Sequence, residues 1–297
     1  MREDEFLAAL RRLPLHPGAS GLTDDTAKLA GLTITTDTIV EGVHFLPDDP
    51  PGDVAWKLVA VSLSDLAAKG AIPEGVLLNY PLGDDSWDES FLVGLAGALT
   101  TLSCPLLGGD TVLLPTGAPR VLTLTAIGRD APGPPRSGAK AGDALWVTGN
   151  IGNAGAGLRI ARGEAGPRAL LAAYRRPTPR LAEGRKLALV VNAMMDISDG
   201  LLIDASRMAA ASGLAVTVDL AALPLSADYL AFAGADRDAH VAAATAGDDY
   251  ELLFALPKEK EPPVGAFRVG RFTAGSGITL MWQGRPVPLP ATLGFRH

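Results

Sequence analysis

The sequence predicts two mixed α/β domains, each a sheet covered by helices, and three observations carry that expectation. The chain has 297 residues, 47% of them hydrophobic, enough to build two ordinary buried cores. Strand-like and helix-like runs alternate in both halves, the pattern of sheets that bury one face under helices. Between the halves, Arg129 to Gly142 is dense in Pro, Gly and Ala, the composition of a boundary. The expected division is therefore residues 1–130, a linker at 131–142, and 143–297.

Each element follows from local pattern. Leu32–Val40 (LTITTDTIV) and Val121–Ile127 (VLTLTAI) alternate β-branched and apolar residues as half-buried strands do. Of the helices between them, Asp53–Lys69 is the clearest, with Asp53 suited to the N-cap and Gly70 to C′. In the second half, Ala144–Thr148 reads as a strand that enters a glycine-rich turn and then a helix from about Ala154 to Arg162. Leu187–Met194 reads as the next strand, Asp196-Ile197-Ser198-Asp199-Gly200 as a turn, and Leu201–Ala211 as a helix closed by Gly213. Strand pattern returns at Glu251–Leu256 and near the C-terminus.

Composition excludes several functions. A formal net charge of −7 argues against a phosphate-backbone partner, which needs a concentrated Lys/Arg surface. Cys104 is the only cysteine and lies in an apolar run, so no internal disulfide forms, the thiol is expected to be buried, and a reducing cytoplasm fits. The N-terminus is acidic where a signal peptide is basic, and no long charge-free apolar segment follows; neither export nor a membrane span is expected.

Aspartates recur at the ends of apolar segments, beside hydroxyls or glycines: Asp24-Asp25, Asp37 after Thr35-Thr36, Asp65, Asp110 after Gly108-Gly109, Asp196 and Asp199, and Asp248-Asp249. At about 100° per residue Asp65 falls within the stripe of Val54, Leu58 and Val61, while Trp56, Val59, Leu63 and Leu66 make the opposite face apolar too. Such a carboxylate needs a cation or donors, because desolvating it alone costs several kcal/mol or neutralises it. A bound metal, a helix–helix hydrogen bond or an arginine partner would each serve. Singly, the other clusters read equally well as turns or caps. Together, with no His/Cys arrangement of zinc type, they point to a multi-Mg²⁺ phosphate site, since Mg²⁺ takes oxygen ligands and keeps substrate phosphates in its shell. Gly108-Gly109 would let backbone N–H groups approach a phosphate, and the VTGNIGNAGAGL segment could do so at a helix N-terminus. No Walker A ending and no HRD or DFG triplet is present, so a nucleotide must be held in another way. Arg136 could grip a phosphate bidentately, or be a solvated linker charge, and His44 could contact substrate, or be a partly buried imidazole.

In series, Thr35-Thr36-Asp37-Thr38 with Gly42-Val43-His44-Phe45, Leu63-Ser64-Asp65-Leu66-Ala67-Ala68, Gly108-Gly109-Asp110-Thr111, Arg136-Ser137-Gly138-Ala139-Lys140 and Asp196-Ile197-Ser198-Asp199-Gly200-Leu201 resemble the thiamine-monophosphate kinase family. The likeness runs from about Gly21 to Phe295. The family sits in a superfamily with aminoimidazole-ribotide synthetase, selenophosphate synthetase and the hydrogenase-maturation dehydratase: two-domain α/β proteins that dimerise through the N-terminal domain and bind ATP without a P-loop. The resemblance implies that Asp25, Thr35, Thr36, Asp37, Asp65, Asp110, Asp196 and Asp199 hold Mg²⁺ around the ATP phosphates. It implies ATP contacts from Gly109, Asp110, Arg136 and Ser198, catalytic roles for Asp199 and Arg136, and thiamine-phosphate contacts from His44, Asp248 and Phe295. The family's Gly-Gly-Glu-Asp-Tyr-Glu reads Gly247-Asp248-Asp249-Tyr250-Glu251 here, so the acceptor-contacting glutamate is the shorter Asp248; its Gly-Ile-Gly-Asp-Asp is Gly21-Leu22-Thr23-Asp24-Asp25. The implied activity is phosphorylation of thiamine monophosphate by ATP in a homodimer, with no nucleic acid or membrane involved. A synthetase of the same superfamily and a non-catalytic metal- or nucleotide-binding protein are the alternatives.

Overall fold

The computed structural model describes residues 3–296. A short helix α1 (Glu3–Leu10) precedes β1 (Ala27–Leu29), β2 (Leu32–Val40), α2 (Pro51–Ala68), β3 (Ile72–Leu82), α3 (Asp85–Thr101), β4 (Leu106–Leu113) and β5 (Val121–Arg129). These strands form one sheet in the order β1-β2-β5-β3-β4, with β3 and β4 parallel and the other neighbours antiparallel. The second half runs through β6 (Ala144–Val147), α4 (Asn153–Ala161), α5 (Arg168–Arg175), α6 (Leu181–Leu187), β7 (Ala193–Asp196), α7 (Leu201–Ala211) and β8 (Leu214–Asp219). It ends with α8 (Ala227–Ala233), α9 (Arg237–Thr245), β9 (Leu252–Leu256), β10 (Phe267–Ala274), β11 (Gly277–Trp282) and β12 (Arg285–Val287). Their sheet has the order β12-β11-β8-β10-β6-β9-β7. Two mixed sheets flanked by helices are thus the architecture the sequence predicts.

Period-2 alternation on β2 buries Thr33, Thr35 and Ile39 and leaves Thr36 and Thr38 exposed, so Thr35 and Asp37 share the inward face. That face receives α2, which is buried on nearly every side, as its two apolar stripes require. The core of the first half includes Leu58, Val59, Leu63 and Leu66 of α2, each worth roughly 1.5–3 kcal/mol when fully buried. One turn on, Ala67 and Ala68 pack with Leu187, Met194, Leu252 and Phe254 of the second half. A single helix therefore packs against both halves.

Two expectations are corrected. Helix α2 begins at Pro51, whose fixed φ and missing N–H suit the first helical position, so Asp53 lies in the first turn and pairs with Arg176 at 2.5 Å instead of capping. Its other end is as expected, with Gly70 at φ +64°. The apolar run from Leu187 to Met194 is not one strand: Leu187 closes α6, a turn follows with Leu189 74% exposed, and β7 starts at Ala193. A short apolar run does not by itself distinguish a helix end from a strand. Cys104 is fully buried, and burial pushes its thiol up to about 11.

Candidate phosphate and metal site

Beside α2, where the two halves meet, lies a cavity of about 1430 Å³. Asp25 reaches it from the loop before β1, Asp65 from α2 and Asp196 from the end of β7, each with a carboxylate oxygen within 4.8 Å of the others. Thr35 Oγ1 donates to Asp65 Oδ2 at 2.5 Å across the β2–α2 contact. Two cations converge on Asp25. Arg136 pairs with its Oδ1, and Lys69 Nζ lies 2.8 Å from Oδ2 and 2.6 Å from Asp24 Oδ1, with Met194 O at 3.2 Å.

This charge arrangement is one-sided. Burial pushes the Asp25 carboxyl up, but Lys69 and Arg136 outweigh it and hold the group below its ordinary value. Asp65 and Asp196 are in no ion pair among the described residues. Burial raises Asp65 well above 3.8, and the negative charges of Asp37, Asp196 and Asp25 add to it. Asp196 is raised to about 7 by burial first and then Asp25, and Asp37 to about 6 by burial, with Ser62 opposing and Asp25 adding. Buried acids that repel one another and offer only oxygen form the donor set of a hard divalent cation, and Mg²⁺ fits it.

Next to this cluster Arg207 of α7 holds Asp199 Oδ2 at 2.5 Å and the fully buried Asp204 Oδ1 at 2.9 Å. Burial pushes Asp204 up to about 7 despite Arg207. Behind another part of the wall, Lys57 Nζ donates to the His44 carbonyl at 2.8 Å and to Asp248 Oδ2 at 2.7 Å, while the Tyr250 hydroxyl donates to Asp248 Oδ1 at 3.2 Å. His44 Nδ1 accepts from Val40 N–H at 3.0 Å. The backbone N–H of Phe295 donates to the Asp199 carbonyl at 2.9 Å, which brings its ring to the same cavity.

Twelve of the residues expected at a site line this one cavity: Asp25, Thr35, Thr36, Asp37, His44, Asp65, Arg136, Asp196, Ser198, Asp199, Asp248 and Phe295. Gly109 and Asp110 do not. They lie on β4, an edge strand exposed along its whole length, where Asp110 pairs with Asn79 of β3. Gly109 has φ +154°, and a Cβ there would meet the Leu78 carbonyl oxygen at 1.8 Å, so strand pairing already requires glycine. The glycine-rich turn before α4 is not open to a phosphate either: Asp249 takes the N–H groups of Gly152 at 2.7 Å and Ala154 at 3.4 Å. Sequence reasoning overlooked Lys57, Lys69 and Arg207. A signal existed for the lysines, since one inside and one ending a helix apolar on both faces imply buried cations that need acids.

The fold and site define a class. The family model described as AIR synthase related protein, N-terminal domain, matches residues 23–129, and the one described as AIR synthase related protein, C-terminal domain, matches 140–283. Hydrogenase maturation protein HypE in complex with ATP shares the fold at a TM-score of 0.71 and 21% identity, over 94% of this chain and 91% of that one. Within that class, the thiamine-monophosphate kinase of Caulobacter vibrioides is 40% identical over 99% of this chain and 90% of its own. That of Escherichia coli is 37% identical over 91% and 89%. A structure of AaThiL complexed with AMPPCP and TMP superposes at a TM-score of 0.86 with 30% identity, covering 99% of this chain and 95% of the other. The chain belongs to the thiamine-monophosphate kinase family.

Proposed function

We propose that this protein transfers the γ-phosphoryl group of ATP in line to the phosphate of thiamine monophosphate, releasing thiamine diphosphate and ADP. The observation that carries this reading is the cluster of the half-buried Asp25 and Asp65 with the buried Asp196, in a cavity that also holds Arg136, His44 and Phe295. Relatives named as thiamine-monophosphate kinases, and a similar structure holding AMPPCP, an ATP analogue, together with TMP, support the substrates.

Asp25, Thr35, Thr36, Asp37, Asp65, Asp196 and Asp199 are the residues that would hold several Mg²⁺ ions; bound there, Mg²⁺ would neutralise phosphate charge. Arg136 and Ser198 would contact ATP, with Arg136 and Asp199 closest to the transferred group. His44, Asp248 and Phe295 would hold the acceptor. The acceptor oxygen is already anionic, so no general base is required, and the protein contributes positioning and charge. Residues 131–142 serve as linker between the two domains, and the cytoplasm is the compartment.

Gly109 and Asp110 find their place in a homodimer. Edge strand β4 presents Leu106, Leu107, Val112 and Leu113 at 49 to 83% exposure, an apolar strip with open backbone groups that a second copy can cover. Asp110 then serves a site built with the partner. The decisive assay incubates the protein with Mg²⁺, ATP and thiamine monophosphate and looks for thiamine diphosphate. Tight nucleotide binding without that product would favour a binding protein instead.

A further inference from the structure

The geometry points to Lys57 as a positioning residue for the acceptor, a role that rests on the kinase reading above. Its side chain is only 2% exposed, and its ammonium has three neighbours: the His44 carbonyl at 2.8 Å, Asp248 Oδ2 at 2.7 Å and the Tyr174 ring, 4.2 Å away at its centroid. A buried ammonium is tolerated only while such partners stay in place, so the lysine fixes them as firmly as they fix it. His44 follows β2 in the first half and Asp248 precedes β9 in the second. Lys57 therefore binds the two acceptor-side residues together across the boundary between domains.

The other attachments of the Asp248 segment make this more than a structural ion pair. Asp248 and Tyr250 both hold left-handed backbone, at φ +69° and +51°, a conformation that persists in such residues only when the surroundings impose it. Their N–H groups donate to the carbonyls of Ser198 and Ile197, each at 2.8 Å, beside Asp199. Asp248 keeps 26% of its side chain exposed and faces the cavity, so it is held without being closed off. Lys57 also lies eight residues before Asp65 on one buried helix, a rise of about 12 Å. Helix α2 thus sets the distance between the acid cluster and the acceptor end. The shorter Asp248, in place of the family's glutamate, is aimed by Lys57 and Tyr250.

The test is steady-state kinetics of Lys57→Met, Asp248→Asn and the double variant, with Mg²⁺-ATP affinity measured separately. Lys57→Met should raise KM for thiamine monophosphate about 10- to 100-fold, by analogy with the loss on removing a group that orients a metal ligand from behind, with kcat and ATP affinity little changed. Asp248→Asn keeps an oxygen for Lys57 and should raise the same KM. The double variant should cost clearly less than the product of the two single effects, because both variants break the same Lys57–Asp248 contact. A structural role alone would lower the melting temperature and the active fraction and leave KM unmoved. An active wild type whose variants keep normal KM, or whose effects multiply, overturns this inference alone. A wild type that makes no thiamine diphosphate overturns the functional reading and this inference with it. Should Lys57→Met not fold, Lys57→Gln, which keeps a donor but not the charge, carries the test by the same KM criterion.

Discussion

The acid cluster should make the metal-free protein less stable as pH rises, and Mg²⁺ should reverse the loss. Asp196 is the clearest contributor: it is 4% exposed, and its folded-state pKa is about 7 against an ordinary 3.8. At about 1.4 kcal/mol per pH unit, that displacement corresponds to on the order of 4 kcal/mol between the charged and neutral forms, an upper limit for what the group contributes. The sign follows from proton counting. Between about pH 4 and pH 7 the folded protein holds a proton that the unfolded chain has released, so stability falls as pH rises, and the full cost is present above about pH 7. Asp37, raised to about 6, acts in the same direction over the lower part of that window. Urea unfolding in EDTA at pH 5.5 and pH 8, for wild type and Asp196→Asn, isolates the effect. The variant should lose less stability than wild type between the two pH values, by up to about 2 kcal/mol, since only about 1.5 pH units separate pH 5.5 from the folded-state pKa of about 7. Added Mg²⁺ should stabilise wild type more at pH 8 than at pH 5.5 and the variant little at either. Equal pH dependence of the two proteins, or an unchanged Mg²⁺ response in Asp196→Asn, would refute the reasoning.

Further outcomes follow from the same geometry. Asp65→Asn and Asp199→Asn should each cut turnover by about two orders of magnitude or more while circular dichroism stays native; near-normal rates at saturating Mg²⁺ would remove those residues from the site. Lys69→Met should lower unfolding stability by about 3–5 kcal/mol, because it leaves Asp25 without one of its two cations; a loss under about 1 kcal/mol on urea unfolding would show that Arg136 alone suffices. If Asp110 serves a site shared between copies, mixing inactive Asp65→Asn and inactive Asp110→Asn chains should restore part of the activity. No recovery, in a mixture shown by mass spectrometry to contain hybrid dimers, would place Asp110 outside the site.

How much was legible depended on whether the signal was local. Helix α7 was readable to the residue, since Gly200, an apolar stripe and Gly213 bracket it in sequence. Strand β2 was equally plain, because one face is buried and the other exposed, and that contrast writes a period of two. The segment from Leu187 to Val190 was misread because Leu187 and Ala188 end a helix that packs against α2 while Leu189 sits in an exposed turn, a tertiary fact with no local period. The same division runs through the site. Aspartates at strand ends stood out, as nothing in a short apolar element needs a carboxylate. Which lysine or arginine meets which aspartate stayed hidden, since Lys69 reaches Asp24 and Asp25 across more than forty residues and Lys57 reaches Asp248 across 191.

Helix α2 shows why such a site can be conspicuous and yet half concealed. Along one buried helix and its cap stand Lys57, Asp65 and Lys69. The two lysines are satisfied within the protein, one by Asp248 and the His44 carbonyl, the other by Asp24 and Asp25. Asp65 is not: it receives one hydroxyl from Thr35 and faces three further acids. A helix selected for stability alone would more cheaply carry an apolar residue at that position, since replacing a buried charge by a well-packed apolar side chain is often neutral or favourable. Retaining the carboxylate is sensible only if a cation arrives with the substrate. The lysines answer a different need: Lys69, on Asp24, Asp25 and the Met194 carbonyl, keeps Asp25 from moving away from Asp65 and Asp196, and Lys57 holds Asp248 beside His44. On this argument the metal-free protein keeps its acids close at a cost in stability, which Mg²⁺ bound there with phosphate would remove.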